Sequence, residues 1–429
     1  MSLDRYFGLR AEGTTVRTEL TAGLTTFMTM AYILAVNPQI LGDAGMDRGA
    51  VFTATALASG LTTILMALYA RIPYALAPGM GLNAFFAYTV CGVMGYPWQV
   101  ALAAVLVEGL IFIALTVLNV REAIIGAIPL HLKRAISVGI GLFIAYLGFV
   151  GAGVVVPGQG MPLALGDLHT APPLLALGGT LLIGLLMARH VRGALLWGIL
   201  VTAAAGLPFG VTKLPAGWHG VPSLAPTFLA FRWPGLLEPG FLTAVFTLLF
   251  VDMFDTAGTL IGVATREGRL APDGSIPRAK QALLTDAVGT TLGACLGTST
   301  VTTYVESAAG IQAGGRTGLT SLTTGVLFLA ALLLAPVFLM VPAAATAPAL
   351  IIVGLLMLEP VRQIDLADPT EALPAFLTLL LMPLTGSIAR GIMFGMLAWL
   401  LLKLLTGQRR EISLAAAVLG VFFAVMVAI

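Results

Sequence analysis

The stretch Thr298-Ser299-Thr300-Val301-Thr302-Thr303-Tyr304-Val305-Glu306-Ser307-Ala308-Ala309-Gly310 is polar and carries a carboxylate, yet it lies between two long apolar segments. In hydrocarbon each unpaired backbone group is penalised by several kcal/mol, so irregular polar chain survives only inside protein or beside a water-filled cavity. A second interruption, Ala77-Pro78-Gly79-Met80-Gly81-Leu82-Asn83-Ala84-Phe85-Phe86, is centred near Asn83, 220 residues before Thr303. Two breaks at matching positions of two halves point to the binding site of a transporter.

Such breaks carry this meaning only in a membrane, and the composition is that of a membrane protein. The chain has 429 residues, of which 58% are hydrophobic and 10% charged. A soluble domain carries roughly a quarter charged residues. The reading is an all-α polytopic membrane protein. Its basic residues are scattered through short connections, so the net charge of +2 does not indicate nucleic acid. Cys91 and Cys295 fall in apolar surroundings and read as packing residues. No HExxH, zinc-spaced cysteine pair or phosphate-binding loop occurs, and His131, His169, His190 and His219 fall in or near connections. Neither a metal nor a cofactor is expected. An intramembrane aspartyl protease built on Asp255 and Asp286 would leave both polar breaks unexplained, so no enzyme is expected.

A crossing needs ~20 apolar residues. Long spans fall near 19–41, 50–70, 98–118, 134–153, 172–189 and 193–209, and then, after a polar connection, near 239–264, 280–297, 317–337, 341–358, 371–387, 388–406 and 411–428. Shorter segments near 76–90 and 301–313 carry the breaks, and the count lands near fourteen. With a cytoplasmic N-terminus, Arg121, Lys133, Arg134, Arg189, Arg192, Arg266, Arg269, Arg278 and Lys280 fall inside, while the opposite connections 154–171 and 338–341 hold no Lys or Arg. This satisfies the positive-inside rule, with Lys213 and Arg232 as the exceptions. An odd number of spans per half inserts the halves in opposite directions, giving two inverted seven-span repeats.

Four acids lie in or beside the second-half spans. Asp252 and Asp255, spaced i and i+3 inside one span, share a helix face. Asp286 sits in the next span and Glu306 in the break after it. Each acid at mid-bilayer is penalised by roughly 2.5–3.5 kcal/mol on insertion scales, so some should face a polar cavity. Asp286 divides between site and scaffold, and Glu108 reads as a helix-packing hydrogen bond. Asn83 fits a ligand contact or a helix cap. Gly79 and Gly81 permit close backbone approach. Ser299 and Thr303 lie in a segment able to run extended, where backbone and hydroxyls meet a flat ligand, and Phe85, Phe86 and Tyr304 can stack on it or simply pack.

The motifs Thr18-Glu19-Leu20-Thr21-Ala22-Gly23, Asn37-Pro38-Gln39-Ile40-Leu41, Ala77 to Ala84, Val251-Asp252-Met253-Phe254-Asp255-Thr256-Ala257-Gly258-Thr259 and Gly297 to Ser307 resemble those of AzgA-type purine permeases of the nucleobase–cation symporter-2 superfamily. The resemblance covers nearly the whole chain. It implies fourteen spans in two inverted repeats, with core-domain segments 1–118 and 238–338 moving against gate-domain segments 119–237 and 339–429. It implies import of adenine, guanine or hypoxanthine with protons across the plasma (inner) membrane. It carries substrate contacts to Asn83, Asp252, Asp255 and Glu306. Glu306, Asp255 and Asp286 are the candidates for the coupling proton. The expected partners are a purine nucleobase, a proton and lipid, with a homodimer left open. The alternatives on the same fold are an anion permease of sulfate or bicarbonate type, or a uracil or xanthine transporter.

Overall fold

The computed structural model describes residues 3–118, 129–158, 163–214, 217, 220–235, 238–269, 276–413, 416, 417, 420, 421, 423 and 424. Arg121, His219, the Arg266 side chain and much of the apolar stretch 411–428 lie outside the described residues.

A short helix α1 (Leu3–Phe7) precedes α2 (Val16–Met30), whose first turn is capped by the Thr15 hydroxyl accepting from Thr18 N at 3.2 Å. The chain then passes through a turn at Ala31 and Tyr32 into α3 (Ile33–Asp43), so the span expected near 19–41 is one helical stretch, Val16–Asp43, interrupted at its middle. Pro38 lies inside α3 and has no N–H to give the Leu34 carbonyl, which loosens this stretch. Helix α4 (Arg48–Leu65) is capped by Asp47, which accepts from Ala50 N at 2.7 Å. It widens into a π-helical turn at Met66–Ala70, stopped by Arg71 in the left-handed region at φ 55°.

The first break forms β1 (Leu76–Pro78) and α5 (Met80–Ala84), which runs on as π-helix through Phe85–Val93. After α6 (Trp98–Val117) come α7 (Leu130–Gly151), a small antiparallel pair β2 (Val155–Val156) and β3 (Ala164–Leu165), then α8 (Ala171–Ala188) and α9 (Ala194–Ala205). The second half opens with α10 (Pro239–Glu267) and α11 (Ala279–Leu296), and its break forms β4 (Val301–Thr303) and α12 (Ser307–Gln312). It continues through α13 (Gly318–Ala330), α14 (Ala335–Leu339), α15 (Ala343–Leu356), α16 (Pro369–Thr385) and α17 (Ile388–Leu405).

Among the described residues, eight helical stretches are long and apolar enough to cross a membrane: Val16–Asp43, Arg48–Ala70, Trp98–Val117, His131–Gly151, Ala171–Ala188, Pro239–Ala264, Gly318–Leu339 and Ala343–Gln363. Met80–Val93, Ala194–Ala205 and Pro369–Thr385 are apolar but shorter.

The helices pack in two groups. In one, α13 lies against α2 and α4, and α11 against α6 and α4. Small residues allow the backbones to touch: a Cβ added to Gly325 would sit 2.8 Å from the Gly60 carbonyl oxygen, and one on Gly23 2.6 Å from that of Thr320. Without a hydrophobic drive between helices in lipid, such close contact supplies the association energy. The other group sets α7 and α8 against α15, and α16 against α7 and α17. The groups meet where α5 touches α7 and α3 touches α15.

Candidate functional site

The two breaks find each other. Strands β1 and β4 pair antiparallel, Leu76 opposite Thr303, Ala77 opposite Thr302 and Pro78 opposite Val301. Gly79 N extends the ladder to Thr300 O at 2.9 Å, and Tyr304 N extends it to Ala75 O at 3.0 Å. A two-stranded sheet between apolar helices still exposes two backbone edges, and each unpaired group there is penalised. Side chains from the flanking helices take them up. Thr63 Oγ1 accepts from Leu76 N at 3.0 Å and lies 3.1 Å from Leu76 O, and Ser307 Oγ accepts from Ala75 N at 3.0 Å. On the other strand, Thr290 donates to Val301 O at 2.9 Å and Asp286 Oδ1 accepts from Thr303 N at 3.0 Å.

This accounting divides the acids. Asp286 and Asp252 are fully buried. The Thr256 hydroxyl lies 3.1 Å from Asp252 Oδ1, 3.0 Å from Asp286 Oδ2 and 2.7 Å from Thr302 Oγ1, so this cluster fastens α10 and α11 to β4. Asp255 and Glu306, by contrast, keep part of their surface accessible. Asp252 and Asp255 stand about 60° apart around α10, as the i, i+3 spacing requires, yet one is fully buried and the other keeps part of its surface. Asp255 Oδ2 lies 3.6 Å from where a Cβ on Gly79 would sit, and no hydrogen bond reaches it among the described residues. It is within electrostatic reach of Glu306, Tyr32 and Tyr304. Glu306 immediately precedes α12 and accepts from the Tyr32 hydroxyl at 2.9 Å through Oε1.

The other sequence-derived candidates are buried around this pair. Asn83 Oδ1 accepts from Ser299 Oγ, while its Nδ2, fully buried, has no partner among the described residues. Thr303 is buried at the sheet edge, and Ser299 lies where the chain enters β4. Asn37 donates to Thr55 Oγ1 at 2.8 Å and Thr298 Oγ1 at 2.9 Å, pinning that entry to α3 and α4. Gly81 approaches α7: a Cβ there would lie 2.6 Å from Ile140 Cγ2. Phe85 and Phe86 are fully buried within the apolar core, and Tyr304 is spent on Pro78 O at 2.5 Å. Glu108 accepts from Thr300 Oγ1 at 2.8 Å, so it supports the break itself, where the sequence suggests only a helix-packing bond.

Sequence reading passed over Tyr32 and Thr256, whose hydroxyls serve the acids, and over Glu19. Glu19 is fully buried and accepts from Arg316 N, Thr317 N and Thr320 N at 2.9, 3.3 and 3.2 Å, capping α13 from across the bundle. The available signal was that a buried acid demands donors and the nearby threonines supply them.

The profile of the permease family Xan_ur_permease matches residues 17–394. The guanine/hypoxanthine permease PbuG of Bacillus subtilis is 46% identical over 420 residues, covering 95% of each chain. The adenine permease AdeQ of Escherichia coli is 41% identical over 426 residues, covering 99% of this chain and 96% of that one. Among solved structures, the transmembrane domain of the cyanobacterial bicarbonate transporter BicA superposes with TM-score 0.66 at 16% identity, covering 87% of this chain and 97% of that one. At that identity the likeness establishes the transporter fold alone. The relatives are permeases and not enzymes, and the match runs through both breaks and both helix groups; this chain is a member of the Xan_ur_permease family of permeases.

Proposed function

We propose that this chain imports purine nucleobases together with protons by alternating access, from a site between the crossed breaks. The purine permeases to which it is similar end to end support the substrate class. The observation that carries the site is the pair of carboxylates that keep part of their surface, Asp255 and Glu306, beside a strand crossing whose own backbone is already satisfied. A purine has ring N–H donors and carbonyl or ring-nitrogen acceptors in one plane. Carboxylates accept the donors, and the Asn83 amide with its spare N–H supplies a donor.

In this reading Glu306 and Asp255 contact substrate and carry the coupling proton, whereas Asp252 and Asp286 hold the break in shape. Ser299, Thr303 and Gly81 shape the walls, and Phe85 packs behind them. The chain folds as fourteen spans in two inverted repeats, with segments 1–118 and 238–338 as the core domain and 119–237 and 339–429 as the gate, lying in the inner membrane with its N-terminus cytoplasmic. The packing of α2–α6 with α10–α13, apart from α7–α9 with α15–α17, supports that division. An anion permease on this fold would need positive charge at the breaks, and the described residues place carboxylates there instead.

A proton moving down 100 mV releases about 2.3 kcal/mol. That sustains roughly fifty-fold accumulation. Glu306→Gln is expected to abolish accumulation of radiolabelled hypoxanthine in a host lacking its own purine transporters. Full uptake by this variant would remove Glu306 from the mechanism.

A further inference from the structure

We infer that Tyr32 is a positioning residue that fixes Glu306 for ligand binding, an assignment that rests on the purine-transport reading above. Tyr32 occupies the turn between α2 and α3, where the first span changes helix, and is 1% exposed. A phenol buried that deeply keeps its hydroxyl only by finding a partner. Its one hydrogen goes to Glu306 Oε1, 2.9 Å away and 274 residues further along the chain. Among the described residues no other residue donates to this carboxylate. The Tyr32 hydroxyl therefore holds the carboxylate together with the backbone N–H of Glu306 itself, and its remaining lone pairs are left for a ligand N–H.

The platform that holds the pair is rigid. Helix α12, which begins just after Glu306, packs on α2, which ends just before Tyr32. The approach is so close that a Cβ on Gly310 would lie 2.8 Å from the Ala22 carbonyl oxygen. With both backbones fixed, the phenol selects one carboxylate rotamer and thereby the direction from which the remaining lone pairs can be reached. A carboxylate without this restraint samples several rotamers, and ordering it on binding opposes affinity.

The consequence is a requirement on the ligand. A purine must present its N–H along one line, so blocking that nitrogen with a methyl group should be strongly rejected by the native protein. A tyrosine serving only as packing would leave this discrimination untouched on replacement by phenylalanine, which preserves ring and volume.

The test is radiolabelled hypoxanthine uptake by the full chain reconstituted in liposomes, for wild type, Tyr32→Phe and Tyr32→His, with competition by hypoxanthine and its N-methylated derivatives. Tyr32→Phe is expected to raise the apparent KM about tenfold, the worth of one hydrogen bond to a charged group, with the maximal rate within about twofold. Its preference for hypoxanthine over the worst-tolerated N-methyl derivative should shrink about tenfold. Tyr32→His, which retains a donor, should recover most of both. An unchanged KM in Tyr32→Phe overturns the inference, as does weaker binding of every ligand with the N-methyl discrimination intact. If Tyr32→Phe cannot be purified folded, Tyr32→His decides, and a histidine variant equally damaged counts against the role. Wild-type protein that takes up no purine overturns the functional reading itself, whereas normal wild-type uptake with an unaffected Tyr32→Phe removes only the role of Tyr32.

Discussion

Four acids of the second half look alike in sequence, and hydrogen bonding separates them. Asp286 holds a sheet-edge N–H and a threonine hydroxyl in full burial, whereas Asp255 makes no hydrogen bond with the described residues and keeps surface. Asp286→Ala strands the Thr303 N–H and removes the acceptor beside Thr256, so a loss of about 1–3 kcal/mol is expected. Asp255→Asn removes no such contact and should unfold within a few degrees of wild type, yet take up little or no hypoxanthine. Thermal unfolding of purified protein beside uptake separates the two, and a large stability loss in Asp255→Asn would contradict the division. Sequence spacing located these acids but could not rank them. The partners that decide, such as Tyr32 for Glu306 and Thr300 for Glu108, lie 274 and 192 residues away along the chain.

At the level of elements, the two breaks and the extended-then-helical course of the second were legible, because polar chain flanked by glycine has few other ways to exist in lipid. Their register was not legible. It follows from which backbone groups Thr63, Thr290, Asp286 and Ser307 can reach, and those residues come from four different parts of the fold. The turn at Ala31 and Tyr32 was also hidden, since neither residue is a helix breaker. The crossing leaves little room at Gly79, where a Cβ would lie 2.8 Å from Thr302 Cγ2, 3.0 Å from Leu82 Cδ1 and 3.6 Å from Asp255 Oδ2. Gly79→Ala is therefore expected to push Thr302 and Leu82 aside at the crossing and lower uptake about tenfold, an overpacking effect of about 1–3 kcal/mol placed at the site. Gly325→Ala, overpacked between α4 and α13, should lower the unfolding temperature and leave the apparent KM unchanged. Equal effects of both variants on KM would contradict a site at the crossing.

For the whole molecule, a helical chain with several membrane-crossing segments could be anticipated from apolar length. The contacts that lock one group on the other could not. Gln39 of α3 donates to Val341 O and accepts from the Thr346 hydroxyl of α15, both at 2.5 Å, which ties the groups together at one end. Alternating access requires such ties to break during the cycle. A Gln39→Cys/Thr346→Cys pair, in a background with Cys91 and Cys295 replaced by serine, should stop uptake when bridged by a short bifunctional reagent and regain it on reduction. Uptake that continues while the bridge is intact would show that these helices do not separate.

The central proposal is proton-driven purine accumulation. Its most direct test is purified protein in liposomes with an imposed inward proton gradient, following radiolabelled hypoxanthine against unlabelled adenine and guanine. A gradient of one pH unit supplies about 1.4 kcal/mol per proton. The expected result is transient accumulation of up to about tenfold over the outside concentration, abolished by a protonophore and competed by the unlabelled purines. Hypoxanthine that only equilibrates, at the same level with and without the gradient, would contradict it.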